Sequence, residues 1–211
     1  MTTMTQSAVA DGADDALSSG TTRDGVGSWY GATGNYIYIG ADSYGFYAAG
    51  LRFPMNIPKG AKINSASISV YAAEAAANAC SFTLHGQLHA NSPAFPASDS
   101  SDPVSGSPGY RTRTNNGIVW DAASGLTSWS ANTLYTSPDL SAALQEIVNL
   151  PDYAAGNSIV WLILNTGSSL GDLRRAINMF ESGYPARFDA TYTVPGGIPV
   201  TQQHLLTQGI R

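Results

Sequence analysis

The segment AKINSASISVYAAE, residues 61–74, restricts the possible fold of this chain more than any other stretch. Apolar and small polar residues alternate along it with a period of two, and the serines and Tyr71 share one face. The other face carries four apolar residues: Ala66, Ile68, Val70 and Ala72. This period is that of a β-strand with one buried and one solvated face, which is typical of antiparallel sheets.

Neighbouring segments predict further strands. In NYIYIG, residues 35–40, isoleucines and tyrosines alternate, and YAAGLRFPMNI, residues 47–57, reads as a strand that Pro54 and Pro58 stop. CSFTLHGQLHA, residues 80–90, repeats the alternation. The near-continuous apolar run NSIVWLILNTG, residues 157–167, predicts a central strand that is buried on both faces.

One helix is predicted in SPDLSAALQEIVN, residues 137–149, with Ser137 as N-cap and Pro138 as the first helical residue. Its apolar stripe is formed by Leu140, Leu144, Ile147 and Val148. A single helix among about eight to ten short strands predicts an all-β fold, an antiparallel jelly-roll β-sandwich with one short α-helix.

The predicted β-sandwich domain spans residues 35–194 and is flanked by two segments of different character. Residues 1–34 are rich in Gly, Ser, Thr and Asp and predict an extended N-terminal arm with one short strand. After the hinge Pro195-Gly-Gly, residues 195–211 predict a docking tail that contacts a partner or folds back on its own domain. The apolar residues of that tail are Val200, Leu205, Leu206 and Ile210.

The charge pattern disfavours a nucleic-acid partner. The net charge is -5, and ten Lys and Arg residues are scattered without the basic stripe that phosphate binding requires. The N-terminus lacks a basic region followed by an apolar one, and no run approaches the roughly 18 apolar residues of a membrane span. We therefore expect a soluble protein made in a cytoplasm, with no membrane partner, that leaves a cell by a route such as viral lysis.

The sequence singles out no residue as a catalytic base. Residues 167–171, GSSLG, match the short pattern G-x-S-x-G, but phosphate-loop, zincin and dinucleotide-binding patterns are lacking, and Glu146 lies on the polar side of the predicted helix. His85 and His89 are four residues apart, which on a strand separates them by about 13 Å, too far to share a metal. We therefore expect a protein that is not an enzyme and has no cofactor.

Two groups of polar residues suggest binding or structure. Asp11, Asp14 and Asp15 are spaced closely enough to bind calcium through oxygen atoms, or they form a solvated acidic loop. Arg52 lies between two apolar residues and predicts a structural ion pair, with Glu181 or Asp189 as its partner.

Aromatic residues are concentrated between positions 29 and 47, where they are interleaved with glycines. Rings beside polar loops suit stacking on sugars and also suit protein interfaces. The candidates are Trp29, Tyr30, Tyr44 and Tyr47. Tyr36 and Tyr38 are equally consistent with packing in the core.

The order of these elements resembles the DNRLRE-like β-sandwich family. The likeness rests on AAGLRFPMNIPKGAKINSASISVYA, the helix segment, GNSIVWLIL and RRAINMFESGYPARFDATY, and it extends over most of residues 8–193. That family is similar to polysaccharide-binding modules of secreted bacterial proteins, and single-domain versions look like virion proteins of tailed bacteriophages. The resemblance implies a jelly-roll sandwich without catalysis, and it assigns no sugar-binding residue in this chain.

From these observations we expect a non-enzymatic structural or decoration protein of a tailed-bacteriophage virion, located on the capsid or the tail surface. Its partners are then other virion proteins and copies of itself. The alternative is a carbohydrate-binding module that attaches its carrier to a cell-surface polysaccharide.

Overall fold

The structure is a computed structural model that describes residues 2–7, 14–20, 29–31, 34–95, 111–126, 128–166 and 173–194. These residues form twelve strands and one α-helix. In chain order, the elements are β1 (Thr2–Ser7), β2 (Asp15–Gly20), β3 (Trp29–Gly31), β4 (Tyr36–Ala41), β5 (Phe46–Pro54), β6 (Lys62–Tyr71), β7 (Phe82–Gly86), β8 (Ile118–Trp120), β9 (Leu134–Thr136), α1 (Ser141–Val148), β10 (Ser158–Asn165), β11 (Leu173–Asn178) and β12 (Arg187–Thr193).

The strands form two antiparallel sheets. The smaller has the order β1-β12-β6-β9, and the larger runs β11-β4-β5-β10-β7-β8, with β2 and β3 joined to it through β5. The prediction of an all-β sandwich with one short helix is confirmed. Jelly-roll connectivity stays a prediction.

β5 is the branch point of the larger sheet. Leu51 lies opposite both Asp15 and Trp161, so β2 and β10 occupy its two edges. Tyr47 of β5 lies opposite Ser19 of β2 and also opposite Gly40 of β4. One edge of β5 therefore pairs with β2, and the other edge pairs with β4 near its start and with β10 further along. The predicted N-terminal arm therefore contributes β2 and β3 to this sheet and β1 to the other, which is more than the one short strand expected.

The main core lies between the sheets. Phe188 of β12 packs against Phe53 and Trp161 of the larger sheet, with ring centroids 5.6 and 5.9 Å apart. All three side chains are fully buried, and each such burial contributes about 1.5–3 kcal/mol. The apolar stripe predicted for α1 closes this core, because Leu140, Leu144, Ile147 and Val148 are all buried in it.

β10 is buried along its whole length, as predicted. Its residues Ile159, Trp161 and Ile163 face the main core, and the alternate residues form a second cluster on the outer face of the sheet. This second cluster consists of Ala16, Ala48, Phe95, Val160, Leu162 and Leu164. Phe95 lies in the segment that follows β7, so this segment covers this part of the outer face.

The predicted helix start is wrong. α1 begins at Ser141, and its N-cap residue Leu140 makes no side-chain capping bond. Ser137 instead extends the edge of β6: its amide donates to the Ile68 carbonyl at 2.8 Å, and its hydroxyl accepts from the Ile68 amide at 3.0 Å. Asp139 accepts from the Ala66 amide in the same way at 2.9 Å. Pairing with β6 therefore competes successfully with helix capping here.

Candidate functional site

The outer face of β4 carries two tyrosines. Ile37 and Ile39 point into the main core, so Tyr36 and Tyr38, which alternate with them, face outward. Tyr36 remains 48% exposed. The interpretation that these two rings pack in the core is therefore wrong.

Three tyrosine rings lie side by side on this surface. Tyr36 meets Tyr38 edge-on at a centroid distance of 5.4 Å, and Tyr38 meets Tyr47 at 5.9 Å in a tilted arrangement. Both distances are in the range that aromatic pairs prefer. Tyr44, in the turn before β5, is 88% exposed. We call these residues, Tyr36, Tyr38, Tyr44 and Tyr47, the tyrosine cluster.

Asp42 holds the turn of the cluster together. Its Oδ1 accepts hydrogen bonds from the amides of Tyr44 and Gly45, at 2.8 and 3.2 Å, and from the Tyr47 hydroxyl at 3.2 Å. Its Oδ2 pairs with the guanidinium of Arg174. Burial alone raises the pKa of this carboxyl, but these hydrogen bonds and the arginine charge outweigh it, so the pKa lies below its usual value.

Arg174 links the turn to the rings. Its guanidinium lies over the Tyr38 ring, 3.9 Å from the centroid, while Nη1 reaches Asp42. Gly40 is its strand partner on β4 and has a φ of 115°. A Cβ at Gly40 would lie 2.2 Å from the Leu173 carbonyl oxygen and 2.8 Å from the Arg174 Cα. Glycine is therefore required for this close approach of β4 to β11.

The arrangement is chemically suited to contact rather than to reaction. The stacked guanidinium covers one face of Tyr38, whereas Tyr36 and Tyr44 are exposed to solvent. Asp42 and Arg174 neutralise each other, and the charge of Glu74 also acts on Tyr38. An aromatic surface without an excess of positive charge fits a sugar or a protein better than it fits a phosphate backbone.

The structure joins only part of the predicted aromatic set. Tyr44 and Tyr47 lie in the cluster, while the backbones of Trp29 and Tyr30 lie in β3 and their side chains are outside the described residues. Sequence reasoning missed Asp42 and Arg174. The sequence carries no clear signal for Arg174, because LRRAIN, residues 173–178, does not alternate between apolar and polar residues.

The ion pair predicted for Arg52 forms with a different partner. Arg52 pairs with Asp14, not with Glu181 or Asp189, and its Nε donates to the Ser92 carbonyl at 2.9 Å. The Arg52 amide also bonds the Asp14 carbonyl at 2.7 Å, so β2 brings the two side chains together. Glu181 is exposed in a short 3-10 turn.

Asp15 is buried beside that pair. Its Oδ2 accepts from the Phe180 amide at 2.9 Å, and its Oδ1 has no hydrogen-bond partner among the described residues. Burial, with smaller contributions from the charges of Glu181 and Asp14, raises its pKa to about 6.

The calcium hypothesis gains no support from this geometry. Asp14 is engaged by Arg52 and Asp15 by the Phe180 amide, while Asp11 lies outside the described residues. Across the described ranges, no three His, Cys, Asp or Glu side chains gather as a metal site would require. Calcium binding stays a prediction.

Other candidate residues have structural partners. The two carboxylate oxygens of Glu146 accept from the amides of Asn115 and Asn116 at 2.8 Å, which ties the segment before β8 to α1. His85 bonds the Thr114 carbonyl through Nδ1 at 3.0 Å, and burial lowers its pKa. The tail residues Val200, Leu205, Leu206 and Ile210 lie outside the described residues.

The sequence matches no model of a protein family, and it matches no curated protein. The resemblance described above therefore stays a prediction. In the part of the chain that the structure describes, no helix has both the length and the apolar character needed to cross a membrane.

Proposed function

We propose that this chain is a non-enzymatic virion protein of a tailed bacteriophage, a structural or decoration protein that uses the tyrosine cluster as a contact surface. The observation that carries the proposal is the exposure of Tyr36 and Tyr44 on a network that Asp42 and Arg174 fix in place. The placement on a virion is supported by the resemblance of the sequence to single-domain phage proteins. Its partners are other virion proteins and copies of the chain.

A contact surface of this kind loses little conformational entropy on binding. Tyrosine has two side-chain torsions, and the hydroxyl of Tyr47 is already bonded to Asp42. Rings that are held in place lose little freedom when a partner docks, so more of the burial energy appears as affinity. Tyrosine and arginine are also the residue types enriched at the energetic centres of interfaces.

The test is the composition of purified particles. Mass spectrometry of virions should detect the chain, and cryo-microscopy should place its sandwich against a neighbour. Particles should incorporate less of the double variant Tyr36→Ala/Tyr44→Ala. Tyr184→Ala, which removes a ring of similar exposure, 44%, outside the cluster, should be incorporated normally. Absence of the wild-type chain from purified particles would contradict the proposal.

A second candidate is a carbohydrate-binding module for a cell-surface polysaccharide. It is favoured by the pairing of exposed rings with a buried carboxylate and a guanidinium on one rigid surface, because sugars offer both apolar faces and hydroxyl groups. The two candidates are compatible, since a virion protein can also touch a host glycan.

Affinity-gel retardation and a glycan array test this candidate. Retardation by a host polysaccharide should disappear in Tyr36→Ala/Tyr44→Ala and persist in Tyr184→Ala. Trp29→Ala should be included, because Trp29 was predicted as a stacking residue and its side chain is not among those described. Failure of the wild-type chain to bind any host polysaccharide would reject the candidate.

A further inference from the structure

β1 is the edge strand of the smaller sheet, and it pairs with β12. The register runs without interruption from Thr2 opposite Tyr192 to Ser7 opposite Arg187. Its sequence, TTMTQS, contains one apolar residue, Met4. β1 therefore has little apolar surface to bury, and backbone hydrogen bonds, worth about 0.5–1.5 kcal/mol each, must supply most of its attachment.

β12 is anchored much more firmly. Phe188, Ala190 and Tyr192 are buried in the main core, and β12 pairs with β6 along its other edge from Arg187 to Thr193. If β1 leaves, β12 stays in place and presents a row of unpaired amides and carbonyls. Such an edge is a template for an added strand.

The link between β1 and the rest of the chain is long enough to permit exchange. Residues 8–13 separate β1 from Asp14 and from β2, which lies in the other sheet. Six residues can span up to about 20 Å, whereas packed sheets are about 10 Å apart. The same link can therefore reach across to a closely apposed neighbour.

We propose that the β12 edge is an acceptor site for the N-terminal strand of a second copy of this chain. The incoming strand has the same sequence as β1, so it forms the same residue pairs with β12 and the same number of backbone hydrogen bonds. Chain concentration and the placement of neighbours then decide whether the strand is bound within one chain or between two. This inference depends neither on the tyrosine cluster nor on the placement in a virion.

Disulfide trapping in the full chain tests the exchange. Thr5 and Asp189 are strand partners, and partners across an antiparallel pair have Cα atoms about 4.5–5.5 Å apart, within the range that a disulfide spans. Two chains, one with Thr5→Cys and one with Asp189→Cys, both in a Cys80→Ser background, are co-expressed with different tags and oxidised. Exchange predicts a covalent heterodimer on a non-reducing gel, in a yield that rises with protein concentration.

The matched control replaces Asp189→Cys with Val119→Cys, which lies exposed on β8 at the edge of the other sheet and captures only random collisions. A heterodimer yield several-fold above this control supports the exchange. The double variant Thr5→Cys/Asp189→Cys should then also form covalent oligomers. If it forms only an intramolecular disulfide at every concentration, and the mixed pair gives no more dimer than the control, the proposal is overturned.

A second measurement does not depend on engineered cysteines. A chain that lacks residues 2–7 should melt at a lower temperature than the full chain and should regain stability when a peptide of residues 1–8 is added. A peptide of the same composition in scrambled order should not restore it. If the deletion leaves the melting temperature unchanged, or if both peptides act alike, β12 has no acceptor edge of the kind proposed.

Discussion

Two arginines stack on aromatic rings on the outer face of the same sheet, and their surroundings differ. Arg111 lies over the Phe95 ring, 4.1 Å from its centroid, and is 1% exposed. Arg174 lies over Tyr38 at 3.9 Å, and its side chain is 28% exposed. Phe95 packs in the second cluster on β10, whereas Tyr38 borders open solvent. The same pair of groups therefore holds a buried segment onto the sheet in one place and lies partly exposed in the tyrosine cluster in the other.

The largest expected difference between the two regions is in stability. Phe95→Ala removes a ring that is 3% exposed and should lower the free energy of unfolding by about 3–5 kcal/mol, because it leaves a cavity beside Val160 and Leu162. Tyr36→Ala, on the exposed surface, should cost less than about 1 kcal/mol. Urea denaturation of both variants measures the two losses in the free energy of unfolding. Equal losses would contradict the distinction between a buried ring at Phe95 and an exposed ring at Tyr36.

Two buried aspartates, Asp15 and Asp42, extend the comparison between the two regions. Substitution of Asp15, which is adjacent to Ala16 of the second cluster, should change the stability more. The folded-state pKa of Asp15, about 6, lies above the ordinary 3.8. The free energy of unfolding is therefore highest below pH 3.8 and falls as the pH rises from 3.8 through 6, because the carboxylate must then be charged in the folded state. Asp15→Asn should therefore raise the free energy of unfolding by up to about 3 kcal/mol at pH 8. It should have little effect below about pH 3, where the wild-type carboxyl is largely protonated in both states.

Thermal melting of wild type and Asp15→Asn between pH 3 and pH 8 tests this. Asp14→Asn is a useful contrast, because it breaks the ion pair with Arg52 and should destabilise the protein at pH 8. A stabilisation by Asp15→Asn that does not change with pH would contradict the assignment of a buried, charged carboxylate.

Asp42 should behave in the opposite way. Its pKa is lowered in the folded state, so its stabilising contribution is present above the unfolded-state pKa and is lost as the pH falls through the folded-state pKa. Asp42→Asn should cost about 2 kcal/mol at pH 7, as expected for hydrogen bonds to a charged group, and much less near pH 2. Unfolding measured at both pH values provides the check, and a loss that persists undiminished at pH 2 would contradict this account.

The sequence predicted local features well and long-range pairing poorly. The alternation in residues 61–74 and the apolar run of β10 depend on neighbours two residues away, and both predictions were correct. The helix start was wrong because Ser137 bonds a strand residue 69 positions earlier. Arg52 was assigned the wrong partner because β2 brings Asp14 to it across 38 positions. Such pairings depend on the order of strands in the sheet, which residue patterns do not encode.

The candidate site shows the same limit. Tyr44 and Tyr47 could be selected from composition alone, since they lie in an aromatic-rich segment between glycines. Asp42 could not, because its importance comes from Arg174, which is 132 positions away and reaches it only through the pairing of β11 with β4. The positive φ of Gly40 that permits this approach is likewise a consequence of tertiary structure.

The smallest predicted effect concerns the hydroxyl groups of the tyrosine cluster. The hydrogen bond to Tyr36, together with burial, raises the pKa of the Tyr38 hydroxyl above 10, while the charge of Arg174 acts in the opposite direction. Tyr36→Phe removes the hydrogen bond and keeps the ring, so the pKa of Tyr38 should fall toward 10 with little change in stability. NMR titration of a chain with labelled tyrosines measures it, and Tyr184→Phe is the control. An unchanged pKa in Tyr36→Phe would show that the hydroxyls are not coupled and that the cluster is held by Asp42 and Arg174 alone.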